Sequence, residues 1–404
     1  MMTKSDATQS SATDAPTAVY LDYQATTPTD PRVVDTMMPW FSERFGNAHS
    51  SQHAFGAQAA EAVEAARGKI AALLGADPRE IIFTSGATES NNLAIKGAAR
   101  FARRHDKGNH IVILETEHKC VLESCFALAE EGVRTTVLKV GADGLVDLDA
   151  LAGAIDDDTV LVSIMAVNNE IGVIQPVAEI GRLCRERGVL FHTDAAQAAG
   201  KIPMDVNEMS IDLMSVSGHK LYAPKGVGVL YVRRRPRARL LAEISGGGQE
   251  RGTRSGTLAV PLIVALGAAC EIADQEMAQE AGRLMEFRRS LLTQLQAAVP
   301  DLVVNGALEP RIAGNLNIGF PRIDAMALMA ALGDVAVSTG SACTSTSVEP
   351  SYVLQALGLP RSVSAGSIRI GFGRFTTQSE IDYAARRIAE AVASQRGGQE
   401  AAAE

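Results

Sequence analysis

The run TVLVSIMAV at Thr159–Val167, followed by VLFHTDA at Val189–Ala195, decides the fold class. Both runs are short, apolar and rich in Val, Ile and Thr, the composition of buried strands. Between them, after Pro176, Ile180, Leu183 and Cys184 share one face at helical spacing. Apolar strands that alternate with amphipathic helices form a mostly parallel sheet covered on both faces.

Outward from this unit the same alternation repeats. Strand-like runs stand at Glu80–Ser85, His110–Glu115, Arg134–Val140 and Leu213–Ser217, and Gly226–Val232 adds one more. Val63, Ile70, Leu73 and Leu74 share one face of an Ala-rich helical stretch. The expected architecture is α/β, with a large domain over residues 18–275 built on a mostly parallel seven-stranded sheet. From Leu258 to Val299 the pattern is helical throughout, so the boundary is expected inside a long helix near residue 275. Asn315–Phe320, Ala336–Ser338 and Ser367–Phe372 then read as strands, with helices at Ala325–Leu332 and Ser379–Ser394. These define a smaller α+β domain over 276–394, to which the N-terminal segment also contributes. Residues 1–17 read as a disordered tail and 395–404 as a frayed one.

Composition narrows the function classes. With 38 Lys and Arg against 47 Asp and Glu in 404 residues, the net charge is −9, and no general grip on nucleic acid is expected. The longest apolar run, Leu258–Cys270, contains Pro261 and falls short of the ~20 residues a membrane-spanning helix needs. The first 17 residues carry Asp6 and Asp14, no apolar stretch and no arginine, unlike a secretion or transit peptide. Five cysteines, an odd number in a long chain, suit a reducing cytoplasm better than a disulfide framework.

Four strand ends carry the chemistry. Ser85-Gly86-Ala87-Thr88-Glu89-Ser90 follows a strand and opens a helix, where free N–H groups and the helix dipole either need only a cap or seat an anion. Lys220, in Ser217-Gly218-His219-Lys220, follows another strand. Taken alone it reads as a surface lysine; at the carboxyl end of a parallel strand it stands where α/β ligands bind. Asp194 ends the strand VLFHTDA, with Gln197 one helical turn later. A buried carboxylate there caps a helix or pairs with a cationic N–H. Lysine, aspartate and anion site together fit pyridoxal phosphate: the amine holds the aldehyde, the carboxylate keeps the ring nitrogen protonated and the helix end takes the phosphate. His118 also stands at a strand end, placed to stack on a flat ring or to move protons. His118 and Cys120, two residues apart, are not expected to converge on a metal, and no resident metal site is expected. Cys343 lies in the polar loop TGSACTSTS, unlike the other four cysteines, which fall in helical patterns, and is the candidate nucleophile.

These residues resemble one family. YLDYQATTP (Tyr20–Pro28), TSGATESNNLAIKG (Thr84–Gly97), EHK (Glu117–Lys119), VNNEIGVIQP (Val167–Pro176), SGHKLYAPKGVG (Ser217–Gly228), ERGTRSGT (Glu250–Thr257), TGSACTS (Thr339–Ser345) and EPSYVLQALGL (Glu349–Leu359) are similar to the cysteine desulfurases of the IscS/NifS type, among the class V, fold-type I pyridoxal-phosphate enzymes. The similarity runs from about Val19 to about Ile388. It implies that Lys220 binds the cofactor covalently, that Asp194 pairs with the ring nitrogen and Gln197 with the phenolic oxygen, and that His118 stacks and transfers protons. It implies a phosphate site of Ala87, Thr88, Ser217 and His219, with Thr257 reaching the neighbouring subunit's phosphate in a homodimer. Asn169 would contact cofactor and substrate, and Arg369 would hold the carboxylate of L-cysteine. Cys343 would accept the sulfur as a persulfide, leaving alanine, and would meet an iron–sulfur cluster only in passing. Transamination on the same scaffold needs no such thiol.

Two stretches stand apart. The similar proteins end in an extended tail that helps dock an iron–sulfur scaffold, where this chain has a Gly/Ala/Glu segment. Arg233, Arg234, Arg235, Arg237 and Arg239 put five arginines in seven positions. That run is a solvated hairpin tip or a dock for acidic sulfur-acceptor or scaffold proteins.

Overall fold

Residues 18–339 and 351–403 are described in this computed structural model, with side chains to residue 398. A two-residue strand β1 (Val19–Tyr20) opens the chain. Seven strands then build the central sheet: β2 (Ile81–Thr84), β3 (His110–Leu114), β4 (Arg134–Leu138), β5 (Thr159–Ser163), β6 (Leu190–Asp194), β7 (Leu213–Ser217) and β8 (Gly228–Val232). Their order is β2-β8-β7-β6-β5-β3-β4. Only β8 is reversed, antiparallel to both β7 and β2. The mostly parallel seven-stranded α/β sheet expected from the sequence is therefore present.

Period-two alternation sorts the strand side chains between two cores. Ile111 and Ile113 of β3 face the helix Ala87–Arg104 through Leu93, Ala94 and Ala98. Val112 and Leu114 belong to the opposite cluster, with Val63, Ile70 and Leu74 of the helix Ala54–Leu74 and Ile263 and Leu266 of the helix Val260–Ala298. Each fully buried Leu, Ile or Val contributes about 1.5–3 kcal/mol. Burial on both faces explains why these strands carry no polar alternation.

The 39-residue helix Val260–Ala298 spans both cores. Its residues to Ala273 pack on the sheet, and from Leu284 onward they join a second cluster. That cluster covers a three-stranded antiparallel sheet, in which β10 (Asn315–Gly319) lies between β9 (Val303–Val304) and β12 (Ser367–Gly371). β1 pairs in parallel with β11 (Val335–Ala336), and Val19 and Leu21 fill the same core. The final helix runs from Gln378 through Gly397 and Gly398 to Ala403, past the end expected at Ser394.

Other sequence readings change as well. β5 ends at Ser163, short of Val167; Ile164 and Ala166 still bond to β6 carbonyls, and the chain then folds back where Val167 bridges Ile174. Arg233 leaves the proposed basic patch. It is buried, donates through Nε to the Ile211 carbonyl, also bonds the Val206 carbonyl, and pairs with Asp212 at 3.2 Å. A buried guanidinium needs such partners, so Arg233 is structural. Arg234, Arg235, Arg237 and Arg239 remain exposed.

Candidate active site

The turns that follow β2, β3, β5, β6 and β7 converge at one end of the sheet, the carboxyl edge where α/β folds seat ligands. They enclose a cavity of about 500 Å³. Ala87, Thr88, His118, Asn169, Asp194, Gln197, Ser217, His219, Lys220 and Arg369 all line it. Sequence positions 87 to 369 are thus brought to one wall-to-wall site.

At one end lies the first turn of the helix Ala87–Arg104. Its entry needs glycine, because Gly86 has φ 150°. β8 presses on this turn: a Cβ at Gly228 would stand 2.6 Å from the Gly86 Cα. The Thr84 and Ser90 hydroxyls bond at 2.7 Å beneath it, and the Ser85 N–H donates to Glu89 Oε2 at 2.8 Å. Unpaired N–H groups of the first helical turn therefore face the cavity, with Ser217 and His219 beside them. Burial, followed by the positive charge of Lys220, pushes His219 down to about 4, so its ring is neutral.

Asp194 sits deeper, 6% exposed. Asn91 Nδ2 donates to its Oδ2 at 2.7 Å and the Ala196 N–H to its Oδ1 at 2.9 Å. Both donors are neutral, and no ion pair to Asp194 occurs among the described residues. Next to it His118 caps the helix Lys119–Ala127, its Nδ1 accepting the Cys120 N–H at 3.2 Å. The neutral ring therefore carries its exchangeable proton on Nε2. Burial holds the imidazole below its ordinary range. The His118 Nδ1 also lies 3.0 Å from Cys120 Sγ. This corrects the expectation that positions 118 and 120 diverge, because His118 is a cap outside the helix and its ring folds back over the first turn. The Cys120 thiol is pushed up to about 12, chiefly by burial, so it is protonated and a poor nucleophile at neutral pH. No group of three metal-binding side chains occurs among the described residues.

The N-terminal segment closes the wall. Lys220 Nζ donates to the carbonyls of Gln24 and, at 2.7 Å, Ala25. Gln197 Nε2 donates to the same Gln24 carbonyl at 2.9 Å, and Lys201 Nζ donates to Gln197 Oε1 at 2.6 Å. The amide of Gln197 is thereby held by both ends, its Nε2 on the carbonyl that Lys220 also uses.

Arg369 comes from β12 of the smaller lobe. Its Nη2 pairs with Asp22 at 2.7 Å and its Nη1 donates to the Asn169 carbonyl at 2.9 Å. Its Nε and Asn169 Oδ1 are buried without partners among the described residues. The guanidinium expected to hold a substrate carboxylate thus already has both Nη atoms bonded to protein. Glu170, beside them, accepts the Ser351 hydroxyl at 2.5 Å, and burial raises its carboxyl to about 7.

Thr257 does not reach this cavity; it is exposed on the surface of the chain. Cys343 lies outside the described residues. Asn91, Gln24, Ala25 and Glu170 had no assigned role in the sequence reading, although all fall inside quoted motifs. The signal for Asn91 was an amide at a helix position that faces the sheet.

The aminotransferase class-V family model matches residues 19–384. The chain is 56% identical to a cysteine desulfurase of Pongo abelii over 374 residues, covering 93% of this chain and 81% of the relative. It is 55% identical to the cysteine desulfurase IscS of Rickettsia akari over 92% of this chain and 90% of the relative. A solved NifS-like protein superposes with a TM-score of 0.86 at 37% identity, over 93% of this chain and 99% of that one.

Proposed function

The chain belongs to the class-V aminotransferase family, and from that premise we propose that the cavity binds pyridoxal phosphate on Lys220 and hands the sulfur of L-cysteine to Cys343. It is a cysteine desulfurase: L-cysteine becomes L-alanine, and the sulfur passes through an enzyme persulfide to acceptors. The observation that carries the cofactor reading is Asp194. A buried carboxylate with only neutral donors, in the same cavity as an amine and an unsatisfied helix terminus, suits a pyridine N–H. Gln197 presents an N–H for the phenolic oxygen. Ala87, Thr88, Ser217 and His219 suit the phosphate, and the unpartnered Arg369 Nε and Asn169 Oδ1 suit the substrate's carboxylate and amine.

Bound there, pyridoxal phosphate supplies an electron sink for charge developing on the substrate's α-carbon. Asp194 would hold the ring nitrogen's proton, which keeps that sink electron-poor. His118, a neutral imidazole that lines the cavity with its proton on Nε2, would move protons to and from the substrate. Arg369 orients the substrate by its carboxylate. The Cys343 thiolate forms an S–S bond with the substrate sulfur as the C–S bond breaks. The C–S electron pair stays with the carbon skeleton, which takes up a proton and leaves as alanine. The other cysteines support this choice: Cys120, Cys125, Cys184 and Cys270 are each pushed up to about 12 by burial.

The reading extends to partners and place. A homodimer would bring Thr257 of each chain to its neighbour's phosphate site. Arg234, Arg235, Arg237 and Arg239 join Arg79 and Arg251 around a groove of about 400 Å³, suited to acidic sulfur acceptors, including those of iron–sulfur cluster assembly. The four described cysteines are free thiols, which suits a reducing cytoplasm. No described helix is long and apolar enough to cross a membrane. The test is Cys343→Ala: the purified variant keeps its cofactor colour and releases no sulfide from L-cysteine with a thiol acceptor. Sulfide release at the wild-type rate removes Cys343 from the reaction.

A further inference from the structure

The helix end read as the phosphate site carries an acidic residue that works against it. Glu89 lines the cavity one turn from Ser85, and its Oε2 takes the Ser85 N–H. An anion seated on this helix end would share it with a carboxylate, and like charges in a partly desolvated cleft repel strongly. The compensating charge comes from far along the chain. Arg254 Nε meets Glu89 Oε1 at 2.7 Å and its Nη2 meets Oε2 at 3.3 Å.

The segment that delivers Arg254 is held with unusual firmness. Glu250 and Arg251 both adopt left-handed backbone, at φ 47° and 58°, costly for residues with a Cβ. A buried pair imposes that turn: Arg67 bonds both Glu250 oxygens, at 2.8 and 2.9 Å. Glu250 Oε2 also takes the Phe83 N–H of the edge strand β2 at 2.8 Å, filling a ladder position that no strand occupies. Arg67 and Arg251 both donate to the Ile81 carbonyl. The turn and the strand that leads into the phosphate site thus form one braced unit.

We propose that Arg254 is a positioning and charge-compensating residue for the cofactor phosphate, acting through Glu89, and this rests on reading Ser85–Thr88 as the phosphate site. Arg254 draws the Glu89 carboxylate outward and cancels its charge, while Glu89 keeps the Ser85 N–H satisfied and the turn in shape. The pair lets an acidic helix start serve a dianion.

The test titrates apoprotein with pyridoxal phosphate and, separately, with pyridoxal, which lacks the phosphate. Arg254→Met raises the Kd for pyridoxal phosphate roughly tenfold, the factor of one charge-assisted pair, and that for pyridoxal less than about twofold. Glu89→Gln alone binds pyridoxal phosphate at least as tightly as wild type. The double variant Arg254→Met/Glu89→Gln returns to within about threefold of wild type, because the uncompensated charge is gone. Arg254→Lys, which keeps the charge, loses less than Arg254→Met. An equal loss for both ligands would make Arg254 merely structural, and failure of the double variant to recover would mean that Arg254 meets the phosphate itself; either overturns the proposal. Should Thr88→Val and Ser217→Ala leave the preference for pyridoxal phosphate over pyridoxal untouched, the phosphate site is misplaced, and the role of Arg254 falls with it for that separate reason.

Discussion

The walls of the cavity proposed for the cofactor and for the substrate are built differently. On the cofactor wall, Asp194 and Ser217 are strand-terminal residues of β6 and β7, and Ala87 and Thr88 open a helix directly after β2. Their positions follow from a sheet buried on both faces. On the substrate wall, Arg369 reaches in from β12 of the other lobe and is steadied by Asp22 and the Asn169 carbonyl. One wall is fixed by the main chain; the other depends on a long side chain that already has partners. Under the proposed assignment the labour is divided: the cofactor would rest on strand ends, and the substrate would meet a side-chain cation held by Asp22 and the Asn169 carbonyl.

Arg369→Met breaks that comparison most sharply. Charge-assisted hydrogen bonds contribute ~1.5–3 kcal/mol each. The variant is expected to lose roughly 100-fold or more in kcat/KM for L-cysteine, while its affinity for pyridoxal phosphate stays within about twofold of wild type. Comparable losses in both would show that the walls are one unit. A smaller effect sharpens the cofactor wall. Burial holds His118 below its ordinary 6.5, so its neutral form persists on acidification. The acid limb of kcat/KM should therefore have its midpoint below pH 6.5, and His118→Gln should abolish that limb. A midpoint above 6.5 would mean a carboxylate partner outweighs burial.

The same contrast explains what could be read from sequence. Thr159–Ser163 and Leu190–Asp194 declare themselves because strands covered on both faces must be apolar throughout, and residues at their ends inherit a place in the cleft. Asp194 and Lys220 were legible for that reason. Arg233 was misread because a run of arginines shows charge but not direction, and the Asp212 carboxylate that buries it stands far off in sequence. The protein partners of Arg369 were hidden likewise, since Asp22 lies near the other end of the chain. Gln24 and Ala25 act through backbone carbonyls, which side-chain reading cannot reveal. The pairing of His118 with Cys120 depended on a cap geometry that spacing alone does not give.

Three other lysines border this region: Lys119 and Lys225 line the cavity, and Lys201 stands behind Gln197. Burial lowers Lys201 to about 7, which makes its amine a real competitor for an aldehyde. Borohydride reduction of the holoenzyme, which fixes the cofactor to whichever amine holds it, followed by peptide mapping, separates the four. The label is expected on Lys220 alone; a label on Lys201, Lys225 or Lys119 would contradict the assignment on which the cofactor wall depends.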